Sequence, residues 1–167
     1  MDNFVEYIIK RKPSAFDIAL KILIVAIGSV LAVFFLYLTV YMSGLMLLGA
    51  CGSIYIMTFL FKNMSVEYEY IITNNEMDID KIMGQSKRKR LCTLKLSSIN
   101  GFGPYVPEII QEVNTTVDAG DGLGVNLWYL YFDHDKHGKS LLLISPNDKI
   151  LFAINKAVPV RLKINEL

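Results

Sequence analysis

Residues 22–61 carry no charged side chain and decide the fold; they read ILIVAIGSVLAVFFLYLTVYMSGLMLLGACGSIYIMTFLF, between Lys21 and Lys62. A single helix of this length would extend roughly 60 Å. The hydrocarbon layer of a bilayer is only about 30 Å thick and takes about 20 residues per crossing. The stretch therefore predicts two transmembrane helices, at about 15–40 and about 45–61, joined by a tight reversal.

The charges around this apolar block predict its orientation. Basic residues precede the first crossing and follow the second, namely Lys10, Arg11, Lys12, Lys21 and Lys62. The connecting turn contains neither lysine nor arginine. By the positive-inside rule, we expect a multi-pass protein of the cell membrane with both termini in the cytoplasm.

Small residues at helical spacing are candidates for helix–helix packing inside the membrane. The first predicted helix has Gly28 and Ala32, and the second has Gly49 and Ser53. Small side chains allow backbones to approach closely in lipid. We expect these residues to mark where the two helices touch. The alternative is that they are buried against another membrane protein, of which this chain would be an accessory subunit.

Residues 1–14 precede the first crossing and carry a short amphipathic pattern. Phe4, Val5, Ile8 and Ile9 fall on one side of a short helix, and three basic residues follow at once. The pattern is typical of an interfacial segment lying in the headgroup layer. A frayed terminus with incidental apolar residues explains it equally well.

Residues 63–167 have the composition of a polar, strand-rich domain. Residues 66–70 alternate between two faces, which is typical of a half-buried strand. Turn signals separate them from a returning strand at 77–83 and an outgoing strand at 87–94. We therefore expect an antiparallel three-strand meander that continues to about Asn100.

The rest of the domain is less regular before it becomes ordered again. Residues 101–104 are expected to interrupt the sheet, and residues 118–124 to form a mobile surface insertion. Two further strands are expected at 125–132 and 139–144. The sequence then predicts a final helix opening at Ser145-Pro146-Asn147-Asp148, with proline at the first helical position, and after it a short strand or extended tail at 160–164.

A basic run opens the third strand of the meander and is made up of Lys87, Arg88, Lys89 and Arg90. The geometry of a meander puts the turn at residues 84–86 near the bilayer, so these side chains are candidates to contact anionic lipid headgroups. Alternatively, Asp78 and Asp80 on the preceding strand pair with Arg88 or Arg90. A protein or nucleic-acid partner is a third alternative.

No catalytic or metal motif is evident, and we expect neither a cofactor nor enzymatic activity. The formal net charge of +1 argues against a nucleic-acid-binding protein. His134 and His137 lie in an expected hairpin turn at residues 133–138, where a solvated turn explains them better than a metal site. A membrane enzyme built on Asp118, Asp121 or His134 is the rival interpretation, and it requires these side chains to converge in one pocket.

Cys51 and Cys92 are expected to remain free thiols, because one lies in the apolar block and the other in the polar domain.

The meander VEYEYIITNNEMDIDKIMGQSKRKRL, followed by later strands and a final helix opening SPNDKILFAINKAVP, resembles Firmicutes-type bacterial membrane proteins with a two-helix anchor. The order of sheet and then helix is similar to that of bacterial pleckstrin-homology-like (PH-like) domains. This resemblance implies an α+β membrane protein in which a transmembrane helical hairpin precedes an antiparallel PH-like sheet or barrel closed by a C-terminal helix. It also implies a membrane-anchored cytoplasmic binding or scaffolding module, without specifying a reaction.

Overall fold

The computed structural model describes residues 4–42, 44–107, 113–134 and 138–164. The chain forms two compact units. One comprises Met1–Lys12, Glu67–Ile82 and Ser86–Leu167, and we call it the sheet unit. The other comprises Pro13–Val66 and Met83–Gln85, and we call it the helix unit.

The helix unit contains the two apolar helices that the sequence predicts, α1 (Ala15–Tyr41) and α2 (Met46–Asn63). Both are long and apolar enough to cross a membrane. A capping box starts α1: the Ser14 hydroxyl accepts a hydrogen bond from the Asp17 amide at 3.3 Å, and the Asp17 carboxylate accepts one from the Ser14 amide at 2.9 Å. This reciprocal pairing fixes the first turn just outside the apolar block.

The strands form two four-stranded sheets. The first sheet has the order β1-β2-β3-β4 and consists of β1 (Phe4–Lys10), β2 (Val66–Thr73), β3 (Glu76–Met83) and β4 (Lys87–Lys95). The second has the order β5-β7-β8-β6 and consists of β5 (Gly101–Pro104), β6 (Thr115–Ala119), β7 (Trp128–His134) and β8 (Gly138–Ile144). The helix α3 (Asp148–Ala157) follows the second sheet. The sheets do not close into a barrel, so the expectation of a barrel is wrong and that of a sheet is correct. Strand β6 pairs with β8 in parallel, whereas an antiparallel sheet was expected.

Phe4–Lys10 of the N-terminal segment is a strand, so neither of the two structures expected for these residues, a short interfacial helix or a frayed terminus, is correct. Residues of β1 alternate between exposed and half-buried. Its antiparallel register with β2 runs from Phe4 opposite Thr73 to Lys10 opposite Glu67. The local sequence fits a helix and a strand about equally. These residues form a strand because they pair with β2, which follows both apolar helices in the chain. In the order of the chain, the helix pair therefore lies between the first two strands of the sheet rather than ahead of the whole domain.

Three local expectations in the middle of the domain are also wrong. Instead of continuing the sheet, the chain forms a 3₁₀ helix at Leu96–Ser98. Gly101–Pro104, expected to interrupt the sheet, is itself strand β5, opposite Trp128–Tyr131 of β7. Part of the expected surface insertion, Asp118 and Ala119, belongs to β6. Glycine and proline are uncommon in strands, but in β5 the pairing with β7 outweighs their low strand propensity.

The last helix has a different N-cap from the one expected. The Asn147 side chain accepts a hydrogen bond from the Ile150 amide at 2.9 Å, so Asn147 is the N-cap and Pro146 precedes it. Ile150, Leu151 and Ile154 are buried on one face. After the helix, Val160–Leu162 is a 3₁₀ helix rather than a strand or an extended tail.

A buried tyrosine joins the two sheets. The Tyr70 hydroxyl donates a hydrogen bond to the Ala119 carbonyl and accepts one from the Ser145 amide at 3.2 Å. Tyr70 lies on β2, whereas Ala119 ends β6 and Ser145 follows β8. Burial raises the pKa of Tyr70, so the hydroxyl stays neutral and can both donate and accept.

We expect the register of β1 against β2 to permit a cross-strand disulfide in the full chain. In a Cys51→Ser, Cys92→Ala background, the pair Phe4→Cys and Thr73→Cys should oxidise readily, because directly opposite residues have Cα atoms about 4.5–5.5 Å apart. Non-reducing electrophoresis with protease mapping measures the extent of disulfide formation. The control pair, Ile8→Cys with Thr73→Cys, lies about 13 Å out of register and should stay reduced. Equal oxidation of both pairs would contradict the strand.

Candidate functional site

The basic run lies at the start of β4, and its four side chains are exposed. The two arginines form ion pairs with carboxylates of other strands in the same sheet. Arg88 Nη1 lies 2.8 Å from Glu69 Oε2, and Arg90 Nη1 lies 2.8 Å from Asp78 Oδ2. These acidic residues lie on β2 and β3, so the arginines hold three strands of the first sheet together.

The carboxylate opposite Arg88 is almost completely buried. The side chain of Glu69 is 1% exposed, and its Oε2 atom has no hydrogen-bond partner among the described residues although Arg88 is within ion-pair distance. Burial raises the pKa of Glu69, as does the neighbouring Glu6, whereas Arg88 lowers it. Removing Arg88 would leave this buried charge without compensation. Arg88 therefore has a structural role.

Arg90 is held by a denser network. Its Nε donates to Asp80, and Asp78 accepts a further hydrogen bond from the Thr93 hydroxyl at 2.6 Å. The hydrogen bond to Asp80 is the main reason why the pKa of Arg90 is raised. The alternative of cross-strand pairing with Asp78 and Asp80 therefore describes the surroundings of Arg90.

The two lysines of the run differ from the arginines. Lys87 and Lys89 are exposed, and within the described ranges neither has a carboxylate at ion-pair distance. An exposed ammonium without a protein counter-charge can accept an anion at little desolvation cost. The basic run thus divides by residue type: the arginines stabilise the sheet, and the lysines are available for a ligand.

The turn before β4 belongs to the helix unit. The Gly84 amide donates a hydrogen bond to the Ser65 carbonyl at 2.9 Å, and a Cβ atom at Gly84 would lie 2.9 Å from Asn63 Oδ1. Gly84 also has a φ of +59°, which glycine adopts without strain. Asn63 is the last residue of α2. The β3–β4 turn is therefore fixed against the end of α2, and Lys87 follows this turn directly in the chain.

Two of the four small residues predicted to mark the helix contact, Gly28 and Gly49, lie against side chains of the other helix. Gly28 and Ala32 are buried on α1, and Gly28 lies against Met57 of α2. Gly49 of α2 lies against the ring of Phe35 on α1.

The fourth residue, Ser53, donates its hydroxyl to the Ala50 carbonyl of its own helix. The contacts thus follow a small-against-large pattern.

Two of the residues considered for catalysis, Asp118 and His134, lie far apart. The Asp118 carboxylate accepts a hydrogen bond from the Gly120 amide at 3.0 Å. Asp118 is opposite Leu143 of β8, which is opposite Tyr129 of β7, and His134 lies roughly 16 Å further along that strand. Asp118 and His134 therefore do not share a site.

Asp121 accepts a hydrogen bond from the Leu123 amide at 2.8 Å. His137 lies outside the described residues, and within those residues no group of acidic, histidine or cysteine side chains is arranged to hold a metal ion.

Comparison with known proteins supports one assignment. The model of the family described as bacterial PH-like domain, DUF6106, matches residues 1–164. No curated protein and no solved structure matches the chain. The match includes the segments on both sides of the helix pair and the helix pair itself.

We expect Gly49→Ala to destabilise the helix pair and Gly52→Ala to leave it intact or slightly more stable. A Cβ at Gly49 would lie 2.5 Å from the Phe35 ring, whereas a Cβ at Gly52 meets nothing within 4 Å. Overpacking costs about 1–3 kcal/mol, and both variants share the gain in helix propensity. Unfolding by SDS titration of the micelle-embedded chain measures the difference. Equal stability of the two variants would contradict this packing.

Proposed function

Because the chain belongs to the DUF6106 family of bacterial PH-like domains, we propose that it is a membrane-anchored binding module. In this proposal α1 and α2 cross the cell membrane as a hairpin and hold the PH-like domain at its cytoplasmic surface. One observation carries the proposal: β1, which precedes α1, pairs along its whole length with β2, which follows α2.

This pairing restricts how the helices can cross. The register places Lys10 opposite Glu67, and their side chains form an ion pair at 3.6 Å. A single crossing would put β1 and β2 on opposite sides of the bilayer and abolish the pairing. Two crossings return the chain to its starting side, and the basic residues that flank the helices favour the cytoplasm as that side.

The surface of the helix pair supports lipid as its solvent. Large apolar side chains are exposed along both helices, including Val33, Leu36, Val40, Leu48 and Ile56. Water-exposed apolar surfaces of this extent are rare in soluble proteins. A helix satisfies its own backbone hydrogen bonds and can therefore present such side chains to hydrocarbon.

We expect the connection between the helices to be outside the cell and the end of the sheet unit inside. In the Cys51→Ser, Cys92→Ala background, Gly44→Cys should react with a membrane-impermeant maleimide in intact cells. Lys163→Cys should react only after permeabilisation. Both positions are exposed in the fold, so burial does not account for a difference in labelling between them. Labelling of Lys163→Cys in intact cells would refute the proposed orientation.

The ligand in this proposal is the anionic headgroup layer, contacted through Lys87 and Lys89. These are the two basic side chains of the run that have no carboxylate partner among the described residues. They follow the β3–β4 turn that is fixed against the end of α2. A lysine close to an anionic leaflet contributes about 1 kcal/mol. The two together would therefore favour anionic over neutral lipid by about 2 kcal/mol.

We expect Lys87→Gln/Lys89→Gln to reduce the selectivity of the full chain for anionic lipid. Spin-labelled phosphatidylglycerol and phosphatidylcholine, compared in reconstituted membranes, give the relative association constant. The variant and high salt should each lower the preference for phosphatidylglycerol. Lys149→Gln/Lys163→Gln removes the same charge from exposed positions elsewhere in the sheet unit and should leave it unchanged. An equal loss in both variants would rule out a specific contact by β4.

A further inference from the structure

The loop between β6 and β7 has two exposed apolar side chains at its tip. Leu123 is 50% exposed and Val125 is 59% exposed. Between them Gly124 has a φ of +71° and open space where a side chain would be. Isolated exposed apolar residues are common on protein surfaces. What distinguishes this pair is the position at which the loop is held.

Hydrogen bonds hold the base of the loop in a defined conformation. The Asp121 amide donates to the Ser145 hydroxyl at 3.1 Å, and the Asp121 carboxylate accepts from the Leu123 amide at 2.8 Å. At the far end, the Leu127 carbonyl accepts a hydrogen bond from the Tyr105 amide at 2.8 Å. These hydrogen bonds fix the position of the loop tip relative to the sheet unit.

The loop is also bonded to the segment that leads into α1. The Lys12 amide donates a hydrogen bond to the Asp121 carbonyl at 2.8 Å. A Cβ at Gly122 would lie 3.0 Å from the Lys12 carbonyl, so a side chain at Gly122 would obstruct this approach. Lys12 is three residues before Ala15, the first residue of α1. Three residues span at most about 11 Å, so Lys12, to which the loop is hydrogen-bonded, lies within that distance of the start of α1.

We propose that the tip of this loop inserts into the cytoplasmic headgroup layer, with Leu123 and Val125 reaching the boundary with the acyl chains. The inference rests on the proposed crossing by α1. If α1 enters the bilayer near Ala15, Lys12 is at the bilayer surface, and the loop bonded to Lys12 is there too. Apolar side chains beside basic ones are the combination that binds in the interfacial layer.

The charges around the tip are compatible with an anionic surface. Arg11 and Lys12 are exposed next to the loop, and the Arg11 side chain lies against Gly122. The carboxylates of Asp118, at the end of β6, and of Asp121, in the loop, both accept hydrogen bonds from amides of the loop. The surface formed by the loop and the adjacent Arg11 and Lys12 therefore has exposed apolar and basic side chains, while these two carboxylates are hydrogen-bonded to loop amides.

Site-directed spin labels on the full chain in phosphatidylcholine–phosphatidylglycerol nanodiscs test the insertion. In the Cys51→Ser, Cys92→Ala background, nitroxides are placed one at a time at Leu123, Val160 and Val33. Accessibility to oxygen, which concentrates in lipid, is compared with accessibility to a water-soluble nickel chelate. Val160, 83% exposed in the sheet unit, is the control for exposure without a tether to α1. Val33, within α1, is the control for lipid burial.

We expect the label at Leu123 to favour oxygen over nickel several-fold more than the label at Val160, and less than the label at Val33. Equal accessibility at Leu123 and Val160, with Val33 buried in lipid, would overturn the insertion and leave the anchor intact. A water-exposed Val33 would overturn both.

A second variant separates insertion from local shielding by the protein. With the label at Val125, Leu123→Asp should return the label to the accessibility seen at Val160, because a carboxylate resists transfer into the interface. An unchanged oxygen preference after Leu123→Asp would contradict lipid insertion.

Discussion

The pairing of β1 with β2 is the constraint on which the rest of the structure depends. These strands are neighbours in the first sheet, yet the entire apolar helix pair lies between them in the chain. For helices that cross a bilayer, this strand pairing requires that the chain return to its starting side. The backbone hydrogen bonds between β1 and β2 thus restrict the ways in which the apolar segments could cross. A helix pair placed between two strands of one sheet is also attached to that sheet at both ends.

The four basic residues that open β4 have two different roles, and the geometry of the sheet explains why. Arg90 pairs with a carboxylate of the adjacent strand β3, whereas Arg88 reaches Glu69 of β2, the next strand in the sheet, and Glu69 is buried. Guanidinium groups suit this role because they remain charged and form several directed hydrogen bonds. Lys87 and Lys89 point away from these partners because side chains alternate along a strand. A run of four basic residues therefore contains two structural groups and two groups open to a ligand.

The local patterns predicted well wherever one segment is sufficient to specify its own structure. The apolar stretch and the strands of the meander are of this kind, and α1 and α2 lie close to their expected bounds. The predictions failed where a distant partner decides. Phe4–Lys10 is a strand because β2 pairs with it, and Gly101–Pro104 is a strand because β7 pairs with it. The loop beyond Asp118 is held by Lys12 and Ser145, which no local pattern indicates.

By itself, the sequence determined that the chain contains two helices apolar enough for a membrane and a polar α+β domain, since hydrophobicity and periodicity are properties of contiguous residues. Only the tertiary structure decided that the two strands flanking the helices in the chain pair with each other, that the arginines are already paired, and that the β6–β7 loop is bonded to the segment leading into α1. Each of these depends on hydrogen bonds or ion pairs between residues far apart in the chain. The energy of such contacts exists only once the fold has brought the partners together.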